Sequence, residues 1–283
     1  MLSASCVRPS SPSAALWRFS GLQNRNYAAL GVVLAVLGVV GVMGGCSASD
    51  DRTGSSGESL SGEITVLAAA SLTDTFTSLG QQFMAEHPGT TVAFSFGSSS
   101  TLASQITNGA PADVFAAANP ATMDTVDQAG QAVGRTDFAT NVLQIAVPAG
   151  NPGGVTGLGD FADADQKIAL CAKEVPCGSA AATVFAAAGI TPKPDTYETD
   201  VKAALTKVTL GEVDAALVYT TDVKAAGSKV EGIAFPEAQQ AVNVYPIATL
   251  KDSRNAAVAT AFMAYVLSPA GRQVLNGAGF GTP

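Results

Sequence analysis

The order of apolar and polar positions predicts short buried strands that alternate with amphipathic helices. An apolar run over 63–70 is typical of a buried strand. Over 71–87 the apolar residues follow helical spacing, which places Leu72, Phe76 and Phe83 on one face. A strand followed at once by a helix is the repeating unit of α/β proteins, so the opening pattern favours that class.

The alternation continues to the end of the chain. Further strands are predicted at 91–96, 112–118, 142–150, 167–171, 213–223, 232–236 and 242–250, of which 213–223 runs into a loop. Further helices are predicted at 99–109, 119–130, 178–190, 199–212 and 255–280. The predicted fold class is therefore α/β, with mostly parallel sheets flanked by helices.

The first 45 residues are predicted to be an export signal and not part of the fold. They contain three arginines and no acidic residue, then an apolar run over 28–43, then small residues before Cys46. This order resembles a bacterial lipoprotein signal peptide over 1–45, in which Cys46 becomes the lipid-bearing first residue. A retained membrane anchor is the alternative, but the apolar run is shorter than the roughly 20 residues that a span needs.

Residues 46–62 predict a lipidated, flexible tether, because they are rich in Ser and Gly and have no apolar periodicity. The folded part then begins near Glu63. The net charge of the whole chain is −8, and removal of the leader takes away basic residues only, so the mature chain is more acidic still. Strong acidity argues against nucleic acid and anionic membrane surfaces as partners.

Two of the four cysteines lie in the part of the chain that is predicted to fold. Cys6 and Cys46 belong to the leader and the lipid site, which leaves Cys171 and Cys177 in an oxidising compartment. A disulfide that closes this short loop is the favoured interpretation. Two free thiols or a metal pair are the alternatives, although no His or further Cys lies nearby to complete a zinc site.

Polar residues collect at the points where a predicted strand passes into a helix. Ser71, 98–100 and Asn119 stand at the first three junctions, 175–179 at the fourth and Asp200 at the fifth. Each helix start offers free N–H groups and roughly half a positive charge. A serine at one such position is most often only a helix cap. If four of these helix starts converge, however, they match a doubly charged anion.

The distribution of basic residues agrees with a site made of neutral donors. No Lys or Arg occurs between Arg52 and Arg135, although three of the junctions fall in that interval. A nucleotide or sugar-phosphate pocket would more often add a basic clamp. Hydroxyl and amide donors suit a small, enclosed oxyanion instead.

Five stretches together carry a family resemblance. "AAASLTDTF", "GSSSTLASQITNGAPADVFAAA", "VPCG", "DVKAAL" and "ALVYTTDV" stand in the order and spacing of the molybdate-binding proteins of ABC transporters, and the resemblance covers about 63–283. It implies the two-lobed periplasmic-binding-protein fold of type II, which closes on a tetrahedral oxyanion. Carried over residue by residue, it implies a ligand set of Ser71, Ser99, Ala118, Cys177, Val201 and Tyr219. Family members have alanine at the position of Cys177, but the implied contact there is made by the backbone N–H.

The resemblance also implies a domain division and a set of partners. Lobe one is expected to comprise 63–141 and 247–283, and lobe two 142–246, with a hinge where the chain crosses twice. The expected ligand is molybdate or tungstate, with no cofactor and no direct metal ligands. The expected partner is a membrane permease with its ATPase, reached by a lipid-anchored monomer outside the cytoplasm.

Other functions stay open at this point. Another tetrahedral oxyanion such as sulfate could use the same fold, whereas hydrogen phosphate needs a proton acceptor that the implied ligand set lacks. A serine hydrolase is a remote alternative, because His87 is the only histidine and no G-x-S-x-G motif occurs. A passive surface lipoprotein is distinguished by the absence of anion binding.

Overall fold

Two five-stranded sheets with helices packed against them make up residues 59–283, the part of the chain that this computed structural model describes. The strands are β1 (Ser61–Ala69), β2 (Gly89–Gly97), β3 (Val114–Ala116), β4 (Ala132–Asn141), β5 (Leu143–Pro148), β6 (Ile168–Cys171), β7 (Thr196–Glu198), β8 (Ala215–Tyr219), β9 (Val230–Ile233) and β10 (Asn243–Leu250). The helices are α1 (Thr73–Glu86), α2 (Ser99–Thr107), α3 (Pro120–Gln128), α4 (Pro176–Ala188), α5 (Val201–Thr209), α6 (Thr220–Ala226), α7 (Ala256–Leu267) and α8 (Pro269–Ala278). The predicted signal peptide and Cys46 lie outside the described residues.

Both sheets are mixed, but in each of them four of the five strands run in the same direction, which confirms the prediction of mostly parallel sheets. The first sheet has the order β2-β1-β3-β10-β4 and the second β7-β6-β8-β5-β9. In each sheet two pairings are parallel and two are antiparallel. The reason is the crossing of the chain. β5 and β10 each enter from the other sheet, so they start at the edge where the parallel strands end and run in the opposite direction.

The two crossings lie side by side. Asn141 ends β4 in the first sheet, Leu143 begins β5 in the second, and the return strand β10 begins at Asn243, which pairs with Asn141. The expected lobe boundary between 246 and 247 therefore falls inside β10. Asn141 Nδ2 also donates to Thr221 Oγ1 at 2.8 Å, which ties the crossing to α6.

The local predictions differ from the structure at three elements. The strands β4 and β7 were not predicted. β4 has no clean alternation of buried and exposed residues, and β7 has only three residues. The predicted strand 213–223 ends at Tyr219, and the following loop is in fact helix α6. The Asp222 carboxylate in its first turn accepts a hydrogen bond from the Tyr219 N–H at 3.1 Å, which stabilises the start of a helix.

Each sheet has its own apolar core. The predicted stripe of α1 is fully buried against the first sheet, where Phe83 packs edge-to-face on Phe262 of α7 with ring centroids 5.4 Å apart. In the second core Phe161 packs on Phe185 of α4 at 5.6 Å. Across the described part of the chain, no helix has the length and apolar character needed to cross a membrane.

Lys202 forms an ion pair between helices that pack on different sheets. Lys202 Nζ, on α5 of the second sheet, lies 2.9 Å from Asp74 Oδ2 on α1 of the first sheet and 3.4 Å from Asp222 Oδ1 on α6. The Asp222 side chain is fully buried, and this burial raises its pKa to about 6, although Lys202 acts in the opposite direction. The ion pair between Lys202 and Asp74 joins helices of the two sheets.

The stability of the protein should depend on pH through Asp222. Its pKa is raised in the fold to about 6 from a usual 3.8, so the folded state binds this proton more tightly than the unfolded chain does. The contribution of Asp222 to the free energy of unfolding should therefore rise as the pH falls from 7 to 4. Asp222→Asn removes the titration and keeps an acceptor for the Tyr219 N–H.

We expect the unfolding free energy of Asp222→Asn minus that of the wild type to fall by roughly 2 kcal/mol between pH 7 and pH 4, measured by urea denaturation. Between pH 8 and pH 7, above both pKa values, the difference should stay flat, which serves as the control. A difference that is constant over the whole range would contradict the raised pKa.

Candidate oxyanion-binding site

A small cavity lies between the two sheets, where their parallel strands end. The centre of a water molecule could occupy about 20 Å³ of this cavity, so it has room for one compact ion or a few atoms. Within residues 59–283 no Lys or Arg lines it, and Asp200 is its one charged lining residue. The lining residues are Ala69, Ala70, Ser71, Gly97, Ser98, Ser99, Ala118, Val175, Pro176, Cys177, Asp200, Val201 and Tyr219.

All six residues that the family resemblance implied come to this one cavity. All five strand-to-helix junctions contribute lining residues, and they do so from both sheets. The third junction contributes only Ala118. Its cap residue Asn119 does not line the cavity and instead accepts a hydrogen bond from the Thr122 N–H at 3.0 Å. The six residues are Ser71, Ser99, Ala118, Cys177, Val201 and Tyr219.

The serines at the first two junctions do not cap their helices through the side chain, although capping is the usual role of a serine at such a position. Ser71 lies in a 3-10 turn before α1 and makes no capping hydrogen bond. Ser98 precedes α2, but its Oγ lies 2.8 Å from Ser100 Oγ and contacts no helical N–H. Because these side chains accept no hydrogen bond from the backbone N–H groups of the first helical turn, those N–H groups are available to another acceptor.

Three backbone N–H groups stand in first turns of helices, where no intrahelical acceptor exists. Ser99 begins α2, Val201 begins α5, and Cys177 is the second residue of α4, after Pro176, which has no N–H. Asp200 caps α5, but its Oδ1 accepts from the two N–H groups that follow Val201, at 2.9 and 3.0 Å. The arrangement leaves the N–H of Val201 for a ligand in the cavity.

Three hydroxyl groups complete the set of donors. Ser99 Oγ accepts the Ala118 N–H at 3.0 Å, so its own proton can point into the cavity. Ser71 Oγ lies 3.0 Å from Tyr245 Oη. The Tyr219 hydroxyl is buried and has no hydrogen-bond partner among residues 59–283. A buried hydroxyl without a partner costs free energy, which a ligand that accepts its hydrogen bond recovers.

The tyrosine hydroxyls are held in their neutral form. Burial raises the pKa of Tyr219 well above its usual value, and burial likewise raises the pKa of Tyr245. Both therefore keep their protons at neutral pH and can act as donors. Neutral hydroxyls and backbone N–H groups around one cavity are chemically suited to an anion that only accepts hydrogen bonds.

A disulfide supports one edge of the cavity. Cys171 at the end of β6 is bonded to Cys177 in the first turn of α4. The bond ties the strand end to the helix start that carries the Cys177 N–H. In the described part of the chain, no cluster of three or more His, Cys, Asp or Glu residues could hold a metal ion.

The other candidate chemistry lies away from the cavity. His87 ends α1, where its ring packs on Phe83 with centroids 4.6 Å apart, and it does not line the cavity. Two residues next to the donors were missed as site residues. Asp200 carried only a capping signal, and Tyr245 carried no signal beyond its place in a buried strand.

Comparison with known proteins agrees with this geometry. The family model described as bacterial extracellular solute-binding protein matches residues 64–281. A Mycobacterium tuberculosis protein named molybdate-binding protein ModA is 45% identical over 221 residues, which are 78% of this chain and 85% of that protein. A Bacillus subtilis protein named putative ABC transporter substrate-binding lipoprotein YvgL is 29% identical over 256 residues, 88% of this chain and 96% of that protein.

Among solved structures, the periplasmic molybdate-binding protein of Azotobacter vinelandii matches with a TM-score of 0.68 at 24% identity, over 78% of this chain and 99% of that one. This likeness confirms the two-lobed fold that the resemblance implied. The sequence identity to the mycobacterial relative extends over most of both chains. The chain therefore belongs to the bacterial extracellular solute-binding proteins, in the family of the molybdate-binding proteins named ModA.

Proposed function

We propose that this protein captures molybdate outside the cytoplasm and delivers it to an ABC transporter. The observation that carries the proposal is the cavity itself, which neutral donors line from both sheets, with no basic side chain from residues 59–283. Family membership supports the same ligand class and the same transport role. The protein needs no cofactor and carries out no chemistry on its ligand.

In the proposed complex the anion accepts hydrogen bonds from both lobes. Ser71 and Ser99 donate from lobe one, next to Ala118. The N–H groups of Cys177 and Val201 donate from lobe two, and the Tyr219 hydroxyl joins them. Because a ligand held by both lobes binds the closed form better than the open form, it shifts the population toward closure.

The two lobes are proposed to move as rigid bodies with the bounds expected from the sequence. Lobe one comprises 63–141 and 247–283, and lobe two comprises 142–246. The strand that returns to lobe one, β10, starts at Asn243. The crossings at Asn141 and Asn243 are the natural hinge. Lys202 and Asp74, 2.9 Å apart, then form an ion pair across the cleft that exists only when the lobes are together.

The proposed ligands are dianions without a proton. Tungstate has the same charge as molybdate and nearly the same size, so it is a second ligand. Sulfate is a smaller dianion and remains the alternative ligand for the same donors. Hydrogen phosphate carries a proton, and Oδ1 of the one lining carboxylate, Asp200, already accepts two backbone N–H groups.

The proposed location is the outer face of the cell membrane. Residues 1–45 act as the signal peptide and Cys46 carries the lipid. The tether predicted over 46–62 is shorter by two residues, because β1 already begins at Ser61. The Bacillus relative is named a lipoprotein, which supports this anchor. The protein is proposed to work as a monomer that docks on a membrane permease with its ATPase and binds no nucleic acid.

Titration calorimetry of the full chain with molybdate, tungstate, sulfate and phosphate tests the ligand. Calorimetry is the suitable method because the only tryptophan, Trp17, lies in the predicted leader, so tryptophan fluorescence would not report on the predicted site. We expect tight binding of molybdate and tungstate and weak or absent binding of the other two. A preference for sulfate would replace the ligand, and absence of binding with all four would overturn the proposed function.

Removal of a single hydroxyl donor should weaken binding without unfolding the protein. Ser99→Ala and Tyr219→Phe should each cost about 1–3 kcal/mol of molybdate binding free energy, because a charged acceptor loses one donor. Ser104→Ala on the exposed side of α2 and Tyr197→Phe on β7, a tyrosine that is 63% exposed, are matched controls. Wild-type affinity in Ser99→Ala and Tyr219→Phe would remove both residues from the site.

The disulfide should contribute to both stability and affinity. The double variant Cys171→Ala/Cys177→Ala should lose roughly 2 kcal/mol of unfolding free energy, since the bond closes a short loop in the unfolded chain. It should also bind molybdate more weakly, because the first turn of α4 is no longer tied to β6. Reductant should lower the affinity of the wild type and leave the double variant unchanged. An unaltered affinity in the double variant would show that the bond does not position the Cys177 N–H.

A further inference from the structure

Tyr245 lies directly behind the cavity without lining it. It is fully buried on β10, and its Oη lies 3.0 Å from Oγ of Ser71, which does line the cavity. The two residues are 174 positions apart in the chain. Tyr245 can therefore influence a bound anion only through a neighbour, and Ser71 is the neighbour that its hydroxyl contacts.

The ring of Tyr245 is held firmly in place. It packs edge-to-face against Phe138 of β4 at 6.3 Å, Phe280 at 5.4 Å and Tyr219 at 6.1 Å between ring centroids. These contacts come from both sides of the cleft, since Tyr219 belongs to the second sheet. The position of the Tyr245 hydroxyl is thus set by packing before any ligand arrives.

The protons of the two hydroxyls determine what Ser71 can do. A serine hydroxyl has one proton to donate, and it can accept as well. Tyr245 remains protonated at neutral pH because burial raises its pKa. When Tyr245 donates to Ser71 Oγ, the Ser71 proton is free to point into the cavity. An anion in the cavity favours this direction, because it only accepts.

We propose that Tyr245 is a positioning residue that makes Ser71 a hydrogen-bond donor toward the bound oxyanion. The inference rests on the proposed function and assigns a role that lies outside the ligand set. Tyr245 stands on the strand that crosses between the sheets, two residues after Asn243, where the pairing with β4 shifts in register. The same side chain therefore connects the crossing, a donor of lobe one and, through ring packing, a donor of lobe two.

A double-mutant cycle on the full chain, with molybdate as the probe in calorimetry, tests this role. Tyr245→Phe keeps the ring and removes only the hydroxyl, and it should weaken molybdate binding about 3- to 10-fold. Ser71→Ala should weaken it at least as much. In the Ser71→Ala background the Tyr245→Phe change should have no further effect, because Tyr245 acts through Ser71.

Tyr265→Phe is the matched control. Tyr265 is another buried tyrosine of the first core, and its hydroxyl contacts Gln82 and Glu86 at 3.2 and 3.3 Å, away from the cavity. This variant should bind molybdate like the wild type. It separates the loss of one tyrosine hydroxyl from the loss of the hydroxyl behind Ser71.

The outcomes separate the two proposals. If the wild type binds molybdate, two results overturn the positioning role. One is a loss of affinity in the double variant equal to the product of the two single losses. The other is wild-type affinity in Tyr245→Phe. A wild type that binds none of molybdate, tungstate, sulfate and phosphate overturns the proposed function and this inference with it. Thermal unfolding of each variant checks that the fold is kept, so that a loss of affinity reports on the site.

Discussion

Backbone N–H groups at the start of a helix have no partner within that helix, and in this protein several of them meet in a buried space. Ser99, Cys177 and Val201 each bring one such group to the same cavity. A buried N–H without an acceptor is costly, so the arrangement favours a ligand that accepts hydrogen bonds from several directions. The helix starts meet because each follows the end of a strand, and the strands of both sheets end at the cavity.

This constraint explains how an acidic protein can hold an anion. The whole chain has a net charge of −8, and no Lys or Arg among residues 59–283 lines the cavity. Lys202, for example, is placed between Asp74 and Asp222 at the junction of the two sheets. Helix starts supply positive potential without a movable charged side chain, and they do so over a short range. Helix starts can therefore favour an anion locally although the total charge of the chain is negative.

The crossing strands link the binding site to the relative position of the lobes. β10 returns from the second sheet at Asn243, carries Tyr245 behind Ser71, and then pairs through the first sheet. Asn243 Nδ2 donates to the carbonyl of Ala118 at 2.7 Å, which joins the same strand to another wall of the cavity. The crossing strand β10 is thus joined by two side-chain hydrogen bonds to residues that line the cavity, Ser71 and Ala118.

The sequence by itself determined the features that depend on neighbours in the chain. Helix starts follow from local residues, so the junctions at Ser71, Ser99, Cys177 and Val201 could be found from alternating strand and helix patterns and from the family resemblance. The buried stripe of α1 follows in the same way from helical spacing.

Only the tertiary structure decided which groups meet across the fold: the antiparallel crossing strands, the short or irregular strands β4 and β7, the bridge from Lys202 to Asp74, and the contact between Ser71 and Tyr245. Those partners are more than a hundred residues apart in the two side-chain contacts. Their contact is set by how the two sheets pack, and no local pattern records that packing.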